Sequence, residues 1–247
     1  MQDFLHMGGV CSAAIESENV VGYATGTTGS DNNFVTIPFN AVGYTTADIQ
    51  QIKITGDGIG YGTENFSIWE GLPTVADGSS YVLWDPSMDM TATATDFFWG
   101  NEMCEPVSFS IAPGQGVVIN CGADLGITTS GAVEASPITF TTVSDNNFTG
   151  NPFPAAIDIQ AIKIEGDGIG YGTENFSIWE GLPTVADGSS YVLWDPSMDM
   201  TATATDFFWG NEMCEPVTYS IPAGQGVVIN CVAGLKVTIN PPYTLGK

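Results

Sequence analysis

Along most of this chain apolar and polar residues alternate with a period of two, in short runs broken by Gly, Pro, Asn and Asp. That is the pattern of half-buried strands joined by turns. The predicted strands run in order: ENVVGYATGTT (18–28) or SPITFTTVS (136–144), IQQIKITG, NFSIWEG, SYVLWD, TATATDFFWG, VSFSIA, GVVINCG, and a closing LGITTSG or LKVTINP. Ala76-Asp77-Gly78-Ser79 and the stretch APGQG at 112–116 supply turn chemistry. No segment sustains helical periodicity.

The series occurs twice. Residues 56–107 recur without a change at 166–217, an offset of 110. DIQQIKI at 48–54 returns as DIQAIKI at 158–164, and SFSIAPGQGVVINC at 108–121 as TYSIPAGQGVVINC at 218–231. SDNNF at 30–34 matches SDNNF at 144–148, offset by 114 because the first copy holds four extra residues before Asp48. A period near 110 is too long for a solenoid unit and suits one all-β domain per copy. About eight strands in such a length predict a β-sandwich of Ig-like or jelly-roll-like type. The expected organisation is an N-terminal arm at 1–15, a first sandwich at 16–130 and a second at 131–247, with a short linker near 130–136.

Charge narrows the function. Against 28 acidic residues stand 4 basic ones, all Lys (53, 163, 236 and 247), for a net charge of −24. Such a chain is repelled by nucleic acid and by anionic lipid, and nothing in it reads as a membrane span. With 43% hydrophobic residues there is material for a core, so the acidity belongs to a folded surface. Four Lys and no Arg also leave trypsin-like proteases little to cut.

The repeats contain neither His nor Arg, which removes the imidazole of a nucleophilic triad, a His-based metal site and the guanidinium clamp for anions. Carboxylates such as Glu70, Glu102 and Glu105 are left, but two copies of this length are small for a glycosidase. No enzyme is expected. GDGIGYG (56–62) places its glycines at every second position and reads as a Gly-rich turn, not a nucleotide loop. No cofactor is required by any motif. Calcium is the one ion the composition would suit, with Asp57 and Glu64, repeated as Asp167 and Glu174, as candidate ligands, or Asp85 with Asp89 and Asp96.

Cys104 with Cys121, and Cys214 with Cys231, are spaced by 17 positions, with strand, turn and strand between. A hairpin folding at Ala112-Pro113 would bring each pair within the Cα separation of about 5.5 Å that a disulfide needs. Disulfides would imply an oxidising compartment. Cys11 is a fifth, in a segment with no counterpart in the second copy. That segment is either the tail of a secretory signal, ending in Ser12-Ala13-Ala14, or an arm whose Phe4, Leu5, Met7, Val10 and Cys11 are available for intermolecular contact. Trp84 and Trp99, repeated as Trp194 and Trp209, are candidate platforms for sugar rings, set against their use as core. Asn65, Asn147 and Asn175 head N-x-S/T triplets and are candidate glycosylation sites.

Asn19-Val20-Val21-Gly22-Tyr23, Asn151-Pro152-Phe153-Pro154, Asp158-Ile159-Gln160 and Ala223-Gly224-Gln225-Gly226, in that order, resemble uncharacterised secreted β-repeat proteins of bacterial cell surfaces. The resemblance implies an extracellular or cell-surface location and carries no activity. Tandem acidic sandwiches with an arm also look like subunits of extracellular fibres. The expectation is a non-enzymatic secreted structural protein whose partner is itself, joined head to tail into a filament. The alternative is a secreted sugar-binding module, with or without calcium, whose partners are surface glycans.

Overall fold

A computed structural model describes residues 21–41, 44–56, 67–87, 97–166, 176–196 and 207–244. The chain is nearly all β. The first repeat contributes β1 (Val21–Thr27), β2 (Asp31–Thr36), β3 (Phe39–Asn40), β4 (Ala47–Asp48), β5 (Lys53–Thr55), β6 (Ser67–Glu70), β7 (Tyr81–Trp84), β8 (Phe98–Gly100), β9 (Ser110–Ile111), β10 (Gly116–Cys121) and β11 (Gly126–Val133). The second contributes β12 (Ile138–Thr141), β13 (Asp145–Gly150), β14 (Ile157–Asp158), β15 (Ile162–Glu165), β16 (Ser177–Glu180), β17 (Tyr191–Trp194), β18 (Phe208–Gly210), β19 (Ser220–Ile221), β20 (Gly226–Cys231) and β21 (Lys236–Ile239).

The strands pair antiparallel in the same plan twice. In the first repeat a five-stranded sheet runs β2-β10-β6-β7-β8, while β11 carries β1 on one side and β3 and β5 on the other. In the second, β13-β20-β16-β17-β18 answers the former and β12-β21-β15 the latter. Each repeat has its own buried cluster, with Ile54, Ile68, Leu83, Trp99, Val117 and Ile119 prominent in the first. The small sheets of both repeats stand in a four-part, propeller-like ring rather than as two clearly separate tandem sandwiches. The expected boundary at 130/131 falls inside β11, and the chain crosses to β12 through residues 134–137. Glu134 secures this crossing: its carboxylate accepts from the backbone N–H groups of Ala135 and Ser136, and Tyr243 Oη donates to its carbonyl at 2.8 Å.

Gln50 and its counterpart Gln160 hold each repeat's interior. Asp48 and Asp158 cap short 3-10 turns at Ile49–Gln51 and Ile159–Ala161, which carry the two glutamines inward. Gln50 Nε2 donates to the carbonyls of Trp99 (2.7 Å) and Val107 (2.6 Å), and its Oε1 accepts from Trp99 N at 3.0 Å. Gln160 makes the same three bonds to Trp209 and Val217. A half-buried amide satisfied on this scale ties the ends of strands together.

The two repeats meet by close backbone approach around a quasi-twofold relation. Thr36 N donates to the Gly224 carbonyl at 2.8 Å, and Val35 bridges to Gln225. Reciprocally, Thr149 Oγ1 donates to the Gly114 carbonyl at 2.7 Å, while Thr36 Oγ1 donates to the Thr149 carbonyl at 3.1 Å. Glycine is required here: a Cβ on Gly226 would stand 2.6 Å from Val35 N, and one on Gly116 would meet the Thr149 backbone at 2.5 Å. Burial raises the pKa of Glu180, and the charge of Glu70, its counterpart in the other repeat, adds to the rise.

Two outcomes follow for stability. Gly226→Val should cost about 1–3 kcal/mol by overpacking the contact between repeats, whereas Gly122→Ala, which adds a methyl into open space, should stay within about 0.5 kcal/mol. Urea unfolding of both variants checks this. Because Glu180 binds its proton more tightly folded than unfolded, its charge opposes folding at neutral pH, and the penalty fades as pH falls through the ordinary glutamate range. Glu180→Gln should therefore stabilise at pH 7, by no more than about 0.5 kcal/mol given its exposure, and the gain should vanish by pH 3 in thermal melts.

Candidate functional site

Of the sequence-predicted site residues that the structure describes, most serve the interior. Trp84, Trp99, Trp194 and Trp209 are 3%, 0%, 3% and 0% exposed. Their indole N–H groups are spent on backbone carbonyls: Trp84 on Asn101, Trp194 on Asn211, Trp99 on Ile52 and Trp209 on Ile162. They cannot stack on a sugar, because both faces lie in the core; the expectation of platforms at these four positions is corrected. Trp179 on β16, outside that set, is 47% exposed.

The disulfide expectation also falls. Cys104, Cys121, Cys214 and Cys231 are free thiols. The predicted hairpin does not form, because β9 pairs with β4 and β10 lies between β2 and β6. Cys104 and Cys214 instead occupy left-handed positions (φ 63° and 61°) in turns built by Asn101 and Asn211, whose Oδ1 atoms each accept two backbone N–H groups. Cys121 and Cys231 are buried beneath Asn33 and Asn147, whose Nδ2 atoms lie 3.3 and 3.4 Å from the sulfurs. Burial raises the thiol pKa of Cys121, and pushes that of Cys231 up to about 11.

Asn147 is no glycosylation site: it is 7% exposed and its side chain is bonded to Val143, Asp145 and Ile229 backbone groups. Asn65 and Asn175, the calcium candidates Asp57, Glu64, Asp167 and Glu174, and Phe4, Leu5, Met7, Val10 and Cys11 of the arm lie outside the described residues, as do Asp89 and Asp96. Asp85 is described and buried. Its Oδ1 accepts from Ser87 N and Oγ at 2.8 and 2.7 Å, which closes a local turn. Among the described residues no three His, Cys, Asp or Glu side chains gather as a metal site would need.

What the structure adds is a cleft of about 530 Å3 between β1, β2 and the second repeat's turn at 222–225. Ala24, Gly26, Phe34, Ile127, Thr129 and Gln225 are among its walls, and none of the residues lining it is charged. Among the described residues the strand that β1 pairs with is β11.

The duplication explains why the space is there. Thr28 and Thr142 are equivalent, each donating at 2.7 Å to the carbonyl of Gly122 or Val232 and accepting from Leu125 or Leu235 N. From that anchor, Ala24 stands where the second repeat has Ile138, Gly26 where it has Phe140, and Thr129 where it has Ile239. The ladders agree, pairing Ala24 with Thr129 as Ile138 with Ile239, and Gly26 with Ile127 as Phe140 with Val237. In the second repeat Ile138 and Ile239 are core, Phe140 packs against them, and Ile138 Cγ2 would lie 2.9 Å from a Cβ on Gly114. One seat of the quasi-twofold contact is therefore filled, and the other is left open by the loss of three large apolar side chains. Sequence alignment of the two copies was enough to notice Gly26 opposite Phe140. Nothing in the sequence said that this position faces the other repeat.

The thiol arrangement is checked by labelling at pH 8. A thiol reagent should modify Cys104 and Cys214 in the native protein and reach Cys121 and Cys231 only after denaturation, as read by peptide mass. Protection of all four until reduction would restore the disulfides.

No protein family, no curated protein and no solved structure matches this chain.

Proposed function

We propose that this chain is a non-enzymatic structural protein of the cell exterior, whose copies join head to tail into a filament and whose repeats act as sandwich-like building blocks. The observation that carries this reading is the cleft beside β1 in one repeat, where the other repeat is filled. A chain with one open seat and one segment that its other repeat lacks has unlike ends, and unlike ends joined without closure build filaments. The resemblance to secreted surface proteins and the scarcity of Lys and Arg support the location.

The sugar-binding alternative loses its named residues to the core, since the four tryptophans are buried. Gln50 and Gln160 tie strand ends, and Asn101 and Asn211 build turns.

Negative-stain electron microscopy of the purified chain across a concentration series tests the reading. Filaments with an axial repeat of one chain are expected, their assembly favoured by salt that screens the net charge of −24. Monodisperse monomers at every concentration and ionic strength would overturn it.

A further inference from the structure

We infer that the cleft between β1, β2 and the turn at 222–225 is a binding site for a short neutral saccharide. The inference goes beyond the head-to-tail reading and does not need it, because it concerns what enters the space in each single copy. It uses none of the tryptophans.

Thr129 is the observation that points to a ligand. It lines the cleft, it is 4% exposed, and among the described residues its hydroxyl has no hydrogen-bond partner. Its counterpart in the second repeat is Ile239, a core residue with no polar group to satisfy. A hydroxyl sheltered this far from bulk water and left unbonded is a cost that a ligand group reaching it would relieve. Two amides line the same space. Asn32 spends its Oδ1 on Asn120 Nδ2 at 3.3 Å and keeps its own Nδ2 hydrogens to donate. Gln225 donates through Nε2 to the carbonyls of Phe34, Gly181 and Gly226 and keeps Oε1 as an acceptor.

The lining sets the chemistry of the ligand. An anion would enter against a net charge of −24 and find no counter-charge in the wall, and a cation would lose water with no carboxylate to replace it. A wholly apolar ligand would leave Thr129 and Asn32 unpaired. What fits is a neutral molecule with hydroxyls around its rim and C–H groups on its faces. Phe34, Ile127 and Pro222 offer an apolar wall for the faces, while the hydroxyl and the two amides take the rim. A pyranose ring has both. The cleft, at about 530 Å3, has the volume of a small-molecule site, for which about 300–1,000 Å3 is usual. Gly26 keeps it clear: a Cβ there would meet Ile127 Cγ2 at 3.3 Å and, among the described residues, nothing else within 4 Å. In the second repeat Phe140 fills that position.

Ligand-observed NMR and isothermal titration of the full chain test the inference. Cellobiose, maltose, lactose and N,N′-diacetylchitobiose serve as neutral probes, and digalacturonic acid as the charged one. At least one neutral probe should bind saturably at millimolar concentration or below, and digalacturonic acid should bind at least about tenfold more weakly than that probe. Saturable binding by none of the four neutral probes, or binding led by digalacturonic acid, would overturn the inference.

Two variants place the binding in the cleft. Gly26→Phe restores the side chain that fills the second repeat and should abolish it. Thr129→Val keeps the outline of the side chain and removes the hydroxyl. It should weaken binding about threefold or more, while its thermal midpoint equals or exceeds the parent's because an unbonded buried hydroxyl is gone. Unchanged affinity in a folded G26F chain, or in the T129V chain, would overturn the site. Should G26F not fold, T129V decides alone. Filaments are read separately: saccharide binding by a chain that never assembles refutes the head-to-tail reading and leaves this inference standing, and filaments without saccharide binding do the reverse.

Discussion

The structure depends on how closely two backbones approach where the repeats meet. Gly116 and Gly226 allow strands β10 and β20 to lie against Thr149 and Val35 at distances that a Cβ would forbid. Around that contact Thr36 and Thr149 exchange hydrogen bonds with the turns at 222–225 and 112–115 of the opposite repeat. A duplicated domain can do this because a surface that complements itself once can do so within one chain, in the manner of a twofold dimer made covalent. The four-part ring of small sheets is the consequence, and it makes the two repeats neighbours rather than beads on a linker.

Within that frame the repeats share much of their interior and differ at several places, one of them the seat beside β1. The Gln50 and Gln160 networks agree bond for bond, as do the turns at Asn101 and Asn211 and the threonines at 28 and 142. An interior repeated with such fidelity shows what the fold requires. Among the departures are Ala24, Gly26 and Thr129, where the first repeat gives up the packing that Ile138, Phe140 and Ile239 provide in the second. An unfilled space forfeits dispersion contacts and burial, so it is a stability cost. Its position at the junction of both repeats gives it walls from each, which neither repeat alone would have.

Much of the fold was legible in the chain itself. Alternation placed β1, β6, β7, β10 and β11, and the repeat showed that whatever the first copy does the second does again. β2 was harder to see, because Asp31-Asn32-Asn33 opens it without alternation, and its place is secured by Asn33 bonding back to Gly29 and by pairing with β10. The cysteines misled for a related reason. Strand, turn and strand in sequence looks like a hairpin, yet β9 and β10 each find partners far along the chain, β4 for one and β2 and β6 for the other. Long-range pairing leaves no mark in local composition.

The sequence by itself determined that the protein is all-β and duplicated, that it carries a net charge of −24, and that its repeats hold neither His nor Arg. These follow from residue type and period, which act locally or through total charge. Only the tertiary structure decided which face of each strand is buried, and so that Trp84 and Trp99 are core rather than platform. It alone decided that the four repeat cysteines stay apart, and that Gly26 borders a cleft. A period of two states which residues share a face, but which face meets the core depends on neighbours brought together from a hundred residues away.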